Sequence, residues 1–280
     1  MRRKDPDLQR CAVCDVETDN CCSACGTAGV ALFFCSREHQ KLVWPSHRIA
    51  CGPGKANPFF VPPKYLSAPK FSRLVEYELD ADGIQPFSPA LASRVTSNGK
   101  VSLERALLAI CEQEIRNLPF YLKHGAVSKG NIYMRSAYFC TSYDKRKSSL
   151  SYVEAVAAAD PMDYAARLIA LLPDFDELSV AAQTMSLHQT LVLARLLQLK
   201  VRSKAPPPSY KPEYIGGALR QLLVQLKPFV RFDDDEHAQR IACGFKNEVS
   251  QFYPIDCWFV VDPDGGGIVD FKWKALAANN

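Results

Sequence analysis

Nowhere in the 280 residues is there an uninterrupted apolar run of the roughly 18 residues that a membrane-spanning helix needs. The closest, Leu191 to Leu199, is broken by Arg195 and Gln198. The N-terminus, Met1-Arg-Arg-Lys-Asp-Pro-Asp, leads into no apolar segment of the secretory kind, which argues against a signal peptide. A surplus of one charge is lacking too. Thirty-four Lys+Arg against 30 Asp+Glu leave only +4, short of the pI above about 9 of a dedicated nucleic-acid-binding domain. No internal repeat is evident, and the glycine run Gly265 to Gly267 lacks the Lys-Ser/Thr of a phosphate loop and reads as a turn. These absences lead to the expectation of an intracellular protein with reduced thiols, nucleus or cytoplasm left open. Composition is otherwise that of a globular protein, 48% hydrophobic and 23% charged, which excludes wholesale disorder. The length suits one or two domains.

What the sequence does have is cysteine, unevenly placed. Seven of the eleven fall in the first 51 residues and four, Cys111, Cys140, Cys243 and Cys257, are spread through the rest. In a reducing compartment a cluster is better read as a metal site than as a disulfide framework. The spacing is Cys11-x2-Cys14-x7-Cys22-x2-Cys25-x9-Cys35-x3-His39-x7-His47-x3-Cys51. These eight donors, six thiolates and two imidazoles, suffice for two tetrahedral zinc ions. Each Cys-x2-Cys pair can offer two sulfurs from one tight turn. Cys35/His39 and His47/Cys51 are four apart, which puts both members of each pair on one face of a helical turn. Residues 35 to 51 therefore read as two short helical pieces with Pro45 at their joint. Cys22, rather than Cys21, makes the x2 pair with Cys25.

The stretch from Phe34 to Cys51, with Gln40, Trp44 and the ligand spacing above, resembles the ending of a MYND-type zinc finger, and the two upstream pairs fit its beginning. The resemblance covers residues 11 to 51 and implies two structural Zn²⁺ held in interleaved order. One ion would take Cys11, Cys14, Cys35 and His39, the other Cys22, Cys25, His47 and Cys51. The family usually has cysteine where this chain has His39; histidine is a competent zinc ligand. The resemblance further implies a protein-interaction module for proline-containing peptides, with Gln40 and Trp44 lining the groove. A tryptophan face can pack against a preordered polyproline II segment while an amide bonds its backbone. Trp44 could equally pack the finger's own small core.

Two other functions are known for zinc fingers of this general kind. Some lysine methyltransferases carry such a finger inside a SET domain, but only ten residues precede Cys11 and no Asn-His-Ser-Cys-like motif follows. Direct DNA binding, as in a transcriptional regulator, is disfavoured by charge. Residues 1 to 55 hold eight Lys/Arg against six Asp/Glu, and each Cys3His zinc cluster adds about one negative charge, so few phosphates would be neutralised. The expectation is a non-enzymatic protein with a protein partner, no membrane and no small-molecule substrate.

Beyond Cys51 the composition shifts. Seven of the nineteen prolines lie between Pro53 and Pro89, and residues 52–69 read as a Pro-rich linker. Phe71 to Leu79 fits helix or strand. Helical stripes follow at Leu103 to Leu118, at Val153 to Leu172 with a break at Pro161, at Leu178 to Leu199, at Ile215 to Leu226 and at Ala238 to Val249. Trp258 to Trp273 reads as two strands around a glycine-rich turn, with Val269, Phe271 and Trp273 on one face of the second. The fold class expected is a small N-terminal zinc-binding domain (11–51) followed by a mainly α (α+β) domain, residues 70–280, ending in a β-hairpin, its function unassigned. Within that domain the four scattered cysteines read as core thiols and His188 as a packed histidine. Asp233 to Glu236 reads as acidic capping of a helix, and Lys145 to Lys147 as solvated surface.

Overall fold

The computed structural model describes residues 9–56, 132, 135, 136, 139, 151–172, 179–202, 206–226, 235–261 and 268–276. The expected helix at 103–118, the ambiguous segment at 71–79, residues 57–69 of the linker, Lys145 to Lys147 and the glycine turn lie outside them.

The chain divides into two compact units. The first joins residues 1–56 to residues 172–280, so the N-terminal finger shares a unit with the C-terminal helices. The second is built from 57–171. A division drawn from composition near residue 52 places 70–280 in one domain; the structure groups 172–280 with the finger instead, because long-range packing rather than linker composition sets the boundary.

Within the first unit, α1 (Ser23–Thr27) and α2 (Arg37–His47) belong to the finger. Ser36 caps α2, its hydroxyl accepting from the His39 amide at 3.2 Å. Pro45 lies inside α2 rather than at a joint, so one helix replaces the two expected. It sits in the last turn, where the missing N–H removes a single ladder bond and the chain is about to leave the helix anyway. A tight turn after His47, with the Ala50 amide on the His47 carbonyl at 3.1 Å, brings Cys51 back.

The helix α5 (Val180–Arg202) is buried almost all round, its apolar residues Leu187, Leu191 to Ala194, Leu196 and Leu197 sharing the interior with Gln189, Thr190 and Gln198. Ser186 and Thr190 bond back to carbonyls one turn earlier, at 2.8 and 2.6 Å, which lets them be buried inside a helix. Against α5 pack α2 and α6 (Tyr214–Leu226), the latter through Ile215, Leu219, Leu222 and Leu223, all buried as their spacing requires. The helix α7 (Asp235–Ser250) begins inside the acidic run Asp233 to Glu236 and buries Ile241, Ala242, Phe245 and Val249. It packs on β1 (Ile255–Val261), which pairs antiparallel with β2 (Ile268–Ala275). Cys257 opposes Trp273 and Phe259 opposes Phe271, with the register shifting at Val260/Val261. Phe271 is buried and Trp273 half-buried, while Val269's side chain lies outside the description. Of the scattered cysteines, Cys257 is buried as expected, but Cys243 is exposed. It lies two residues from Ile241, on the far side of α7 from the buried stripe. Cys111 and Cys140 lie outside the described residues.

In the second unit, α3 (Tyr152–Ala158) opens on a reciprocal Ser151/Glu154 capping box, and α4 (Pro161–Ile169) on Asp160 with Pro161 in its first turn. The break at Pro161 is as expected. Phe139 packs against Tyr152 and Tyr164, and Arg135 pairs with the buried Asp163 at 2.8 Å.

Candidate metal centre

The interleaving of the finger has a backbone cause. Residues 32–34 form an extended segment that bonds both Cys-x2-Cys stretches: the Ala12 amide donates to the Phe33 carbonyl at 2.9 Å, Cys22 to Leu32 at 2.8 Å, and Phe34 to Asn20 at 2.9 Å. Cys11 and Cys21 accordingly bridge to Phe33 from either side. Cys35, which follows, is thereby carried to the first pair. Along α2, His39 lies one turn in beside Cys35, and His47 lies at the far end, beside the second pair.

Two groups of four donors result: Cys11, Cys14, Cys35 and His39, and Cys22, Cys25, His47 and Cys51, the atoms of each group all within 4.8 Å of one another. In the first, Cys11 Sγ is 3.5 Å from His39 Nδ1, Cys14 Sγ 3.5 Å from Cys35 Sγ, and Cys35 Sγ 3.1 Å from His39 Nδ1. In the second, Cys22 Sγ is 3.5 Å from His47 Nε2 and 3.7 Å from Cys51 Sγ; Cys25 Sγ lies 3.6 and 3.8 Å from the same two atoms. A tetrahedron with zinc–sulfur bonds of about 2.3 Å has edges of about 3.8 Å, and mixed sulfur–nitrogen edges are slightly shorter. The donor sets therefore fit two zinc ions, and every position is a protein ligand, so bound zinc supplies cross-links rather than a reactive water. Cys21 belongs to neither group and is exposed.

Burial tunes the donors. His47 is held neutral, its pKa brought down to about 4 by burial and by the neighbouring His188, and a neutral imidazole is what a metal requires. Burial pushes the Cys25, Cys35 and Cys51 thiols up, so zinc must displace their protons on binding. The Gln40 amide donates to Cys22 Sγ at 3.5 Å. His188, buried on α5, sits with its ring 6.1 Å from that of His47, and its Nε2 meets the Ala56 carbonyl at 3.0 Å. This packed histidine ties the chain leaving the finger to α5.

Residues 11–51 match the MYND finger family. The match covers that segment alone, and neither a curated protein nor a solved structure matches the chain. The segment is thus a zinc-binding finger of the protein-interaction kind, with two Cys3His centres. Among the described residues no helix is long and apolar enough to cross a membrane.

Sequence reasoning missed what surrounds the first centre. Tyr214 Oη lies 3.0 Å from His39 Nε2. Asp15, directly after Cys14 and in the left-handed region at φ 61°, is gripped by Arg220 at 3.0 and 3.1 Å and by the Gln221 amide. Arg220 also reaches Asp270 on β2 at 2.8 Å. No local pattern announces contacts across some 200 residues of chain; the nearest signal was Gly216-Gly217, an adjacent glycine pair inside a helical stripe.

Proposed function

We propose that the finger docks proline-containing peptides on the face of α2 that carries Gln40 and Trp44, and that the protein is an adaptor rather than an enzyme. The observation that supports this reading is Trp44: it is 44% exposed, unlike the buried Leu42 and Val43 beside it, and its ring leans on His47 at 5.8 Å between centroids. An indole that packed only the finger's own core would be covered. Gln40 lies four residues earlier, on the same face, with its amide oriented by Cys22 Sγ. A zinc ligand and its supporting amide thus hold a half-open aromatic shelf in place, a rigid apolar platform suited to a polyproline II segment whose ordering entropy is already small.

The test is calorimetric titration of the zinc-loaded protein with proline-containing peptides. Trp44→Ala should weaken binding by roughly 30-fold or more, the scale of an aromatic hot spot, with both zinc ions retained by elemental analysis. Unchanged affinity rules the shelf out, and turnover of labelled S-adenosylmethionine by the intact chain would refute the non-enzymatic half of the reading.

A further inference from the structure

We propose that Tyr214 is a positioning residue of the first zinc centre: its hydroxyl holds His39, so that Cys11, Cys14, Cys35 and His39 form a complete metal site only when α6 is docked on them.

The chemistry starts from His39. A thiolate at this position would have no second polar atom, but an imidazole has two nitrogens. Nδ1 faces the three sulfurs, 3.5 Å from Cys11 Sγ and 3.1 Å from Cys35 Sγ, so the ring proton belongs on Nε2. Nε2 points away from the cluster and lies 3.0 Å from Tyr214 Oη, to which it donates. The two rings meet edge to face, centroids 4.8 Å apart at 73°, which restrains rotation of the imidazole. A hydrogen bond to the distal nitrogen fixes the tautomer and orientation of a ligating histidine and raises its basicity.

Tyr214 does not act as an isolated contact. Tyr214, Gly217 and Gln221 recur at spacings of three and four, one face of α6, and all three address the first centre, Tyr214 at His39 and the other two at the turn from Val13 to Asp15. Gly217 lets the helix approach so closely that a Cβ there would lie 2.9 Å from the Val13 carbonyl oxygen and 3.1 Å from the Cys14 carbonyl carbon. Gln221 and its neighbour Arg220 grip Asp15. The second centre differs: its hydrogen bond to a thiolate, Gln40 to Cys22, comes from within the finger, and His188 of α5 meets its His47 through a ring contact with centroids 6.1 Å apart. The hydrogen bond that orients a ligand of the first centre therefore comes from residues 172–280, whereas that of the second comes from the finger itself.

The experiment is a zinc competition titration of the full-length protein against a chromophoric chelator, paralleled by cobalt substitution read in the visible d–d bands. Tyr214→Phe should weaken one of the two zinc ions by roughly 10- to 100-fold and shift the cobalt bands of one site, leaving the other unchanged. In a His39→Cys background, where the ligand has no second nitrogen, adding Tyr214→Phe should change zinc affinity by less than about twofold. Two equal, unaltered affinities in Tyr214→Phe would overturn the proposal. So would a loss that persists in the His39→Cys background, since Tyr214 would then be acting by packing alone. If Tyr214→Phe lowers the far-UV circular dichroism, the His39→Cys pair decides by the same criterion.

Discussion

Replacing Gly217 with alanine sets two terms against each other. In a helix interior alanine is favoured over glycine by about 1 kcal/mol, and on propensity alone the variant should be more stable. The added Cβ, however, would stand 2.9 Å from the Val13 carbonyl oxygen and 3.1 Å from the Cys14 carbonyl carbon, against an ordinary separation of about 3.5 Å or more. These neighbours are backbone, in a turn held at both ends by zinc ligands, and cannot swing aside. Overpacking of this kind costs typically about 1–3 kcal/mol, and a rigid neighbour places the cost toward the upper end. A net loss of about 2 kcal/mol follows, or roughly 4–8 °C in melting temperature. Gly244 is the control. It lies in α7 with nothing within 4 Å of its Cβ position, so Gly244→Ala should gain about 1 kcal/mol. Both variants would be compared with the parent by scanning calorimetry in excess zinc, with zinc release to a chelator as a second readout. If Gly217→Ala melts at or above the parent, as Gly244→Ala should, the close docking of α6 on the first centre is refuted.

Two further outcomes are expected. Cys22→Ser should leave about one zinc per molecule by elemental analysis, whereas Cys21→Ser should leave two, because Cys22 sits among the second group of donors and Cys21 among neither; equal losses would refute the ligand assignment. Glu248 is buried on α7, and burial raises its carboxyl from the ordinary 4.5 to about 8. The folded chain thus keeps a proton that the unfolded chain has released, a contribution present in full below about pH 4.5 and lost as pH rises through about 8. Glu248→Gln should remove this dependence, so the stability of the variant relative to the parent should rise between those limits and level off above; a difference that does not vary with pH refutes it. Zinc release in acid affects both proteins alike and cancels in the comparison.

The second-unit and C-terminal elements were legible where a local signal existed. Pro161 marked the break between α3 and α4, and the stripe Ile215 to Leu223 marked the buried face of α6, since apolar spacing records which side of an element meets a core. Local signals failed where the neighbour decided. Pro45 reads as a helix breaker, yet in the last turn of α2 it costs little. Cys243 reads as a core thiol, yet it lies off the buried stripe of its helix. At Gly216-Gly217 the neighbours again decide: a Cβ on Gly216 would run into the Trp273 ring, and one on Gly217 would meet the finger.

By itself the sequence determined the eight metal donors. Zinc ligation demands particular donors at particular separations, and eight such donors lie within 41 residues, from Cys11 to Cys51; how they are shared was implied by the family resemblance and follows in the structure from the pairing of residues 32–34 with both Cys-x2-Cys stretches. Gln40 and Trp44, the side chains of the proposed shelf, could be named from the sequence, but that Trp44 is half open rather than covered was decided by how α2 packs in the tertiary structure. Only the tertiary structure decided that the finger is one unit with the C-terminal helices, because the contacts that join them, His39 to Tyr214 and Asp15 to Arg220 and Gln221, link residues 175 to 206 positions apart. Asp15, Tyr214, Arg220 and Gln221 carry no signal within their own segments, and their contacts exist only when the two segments meet.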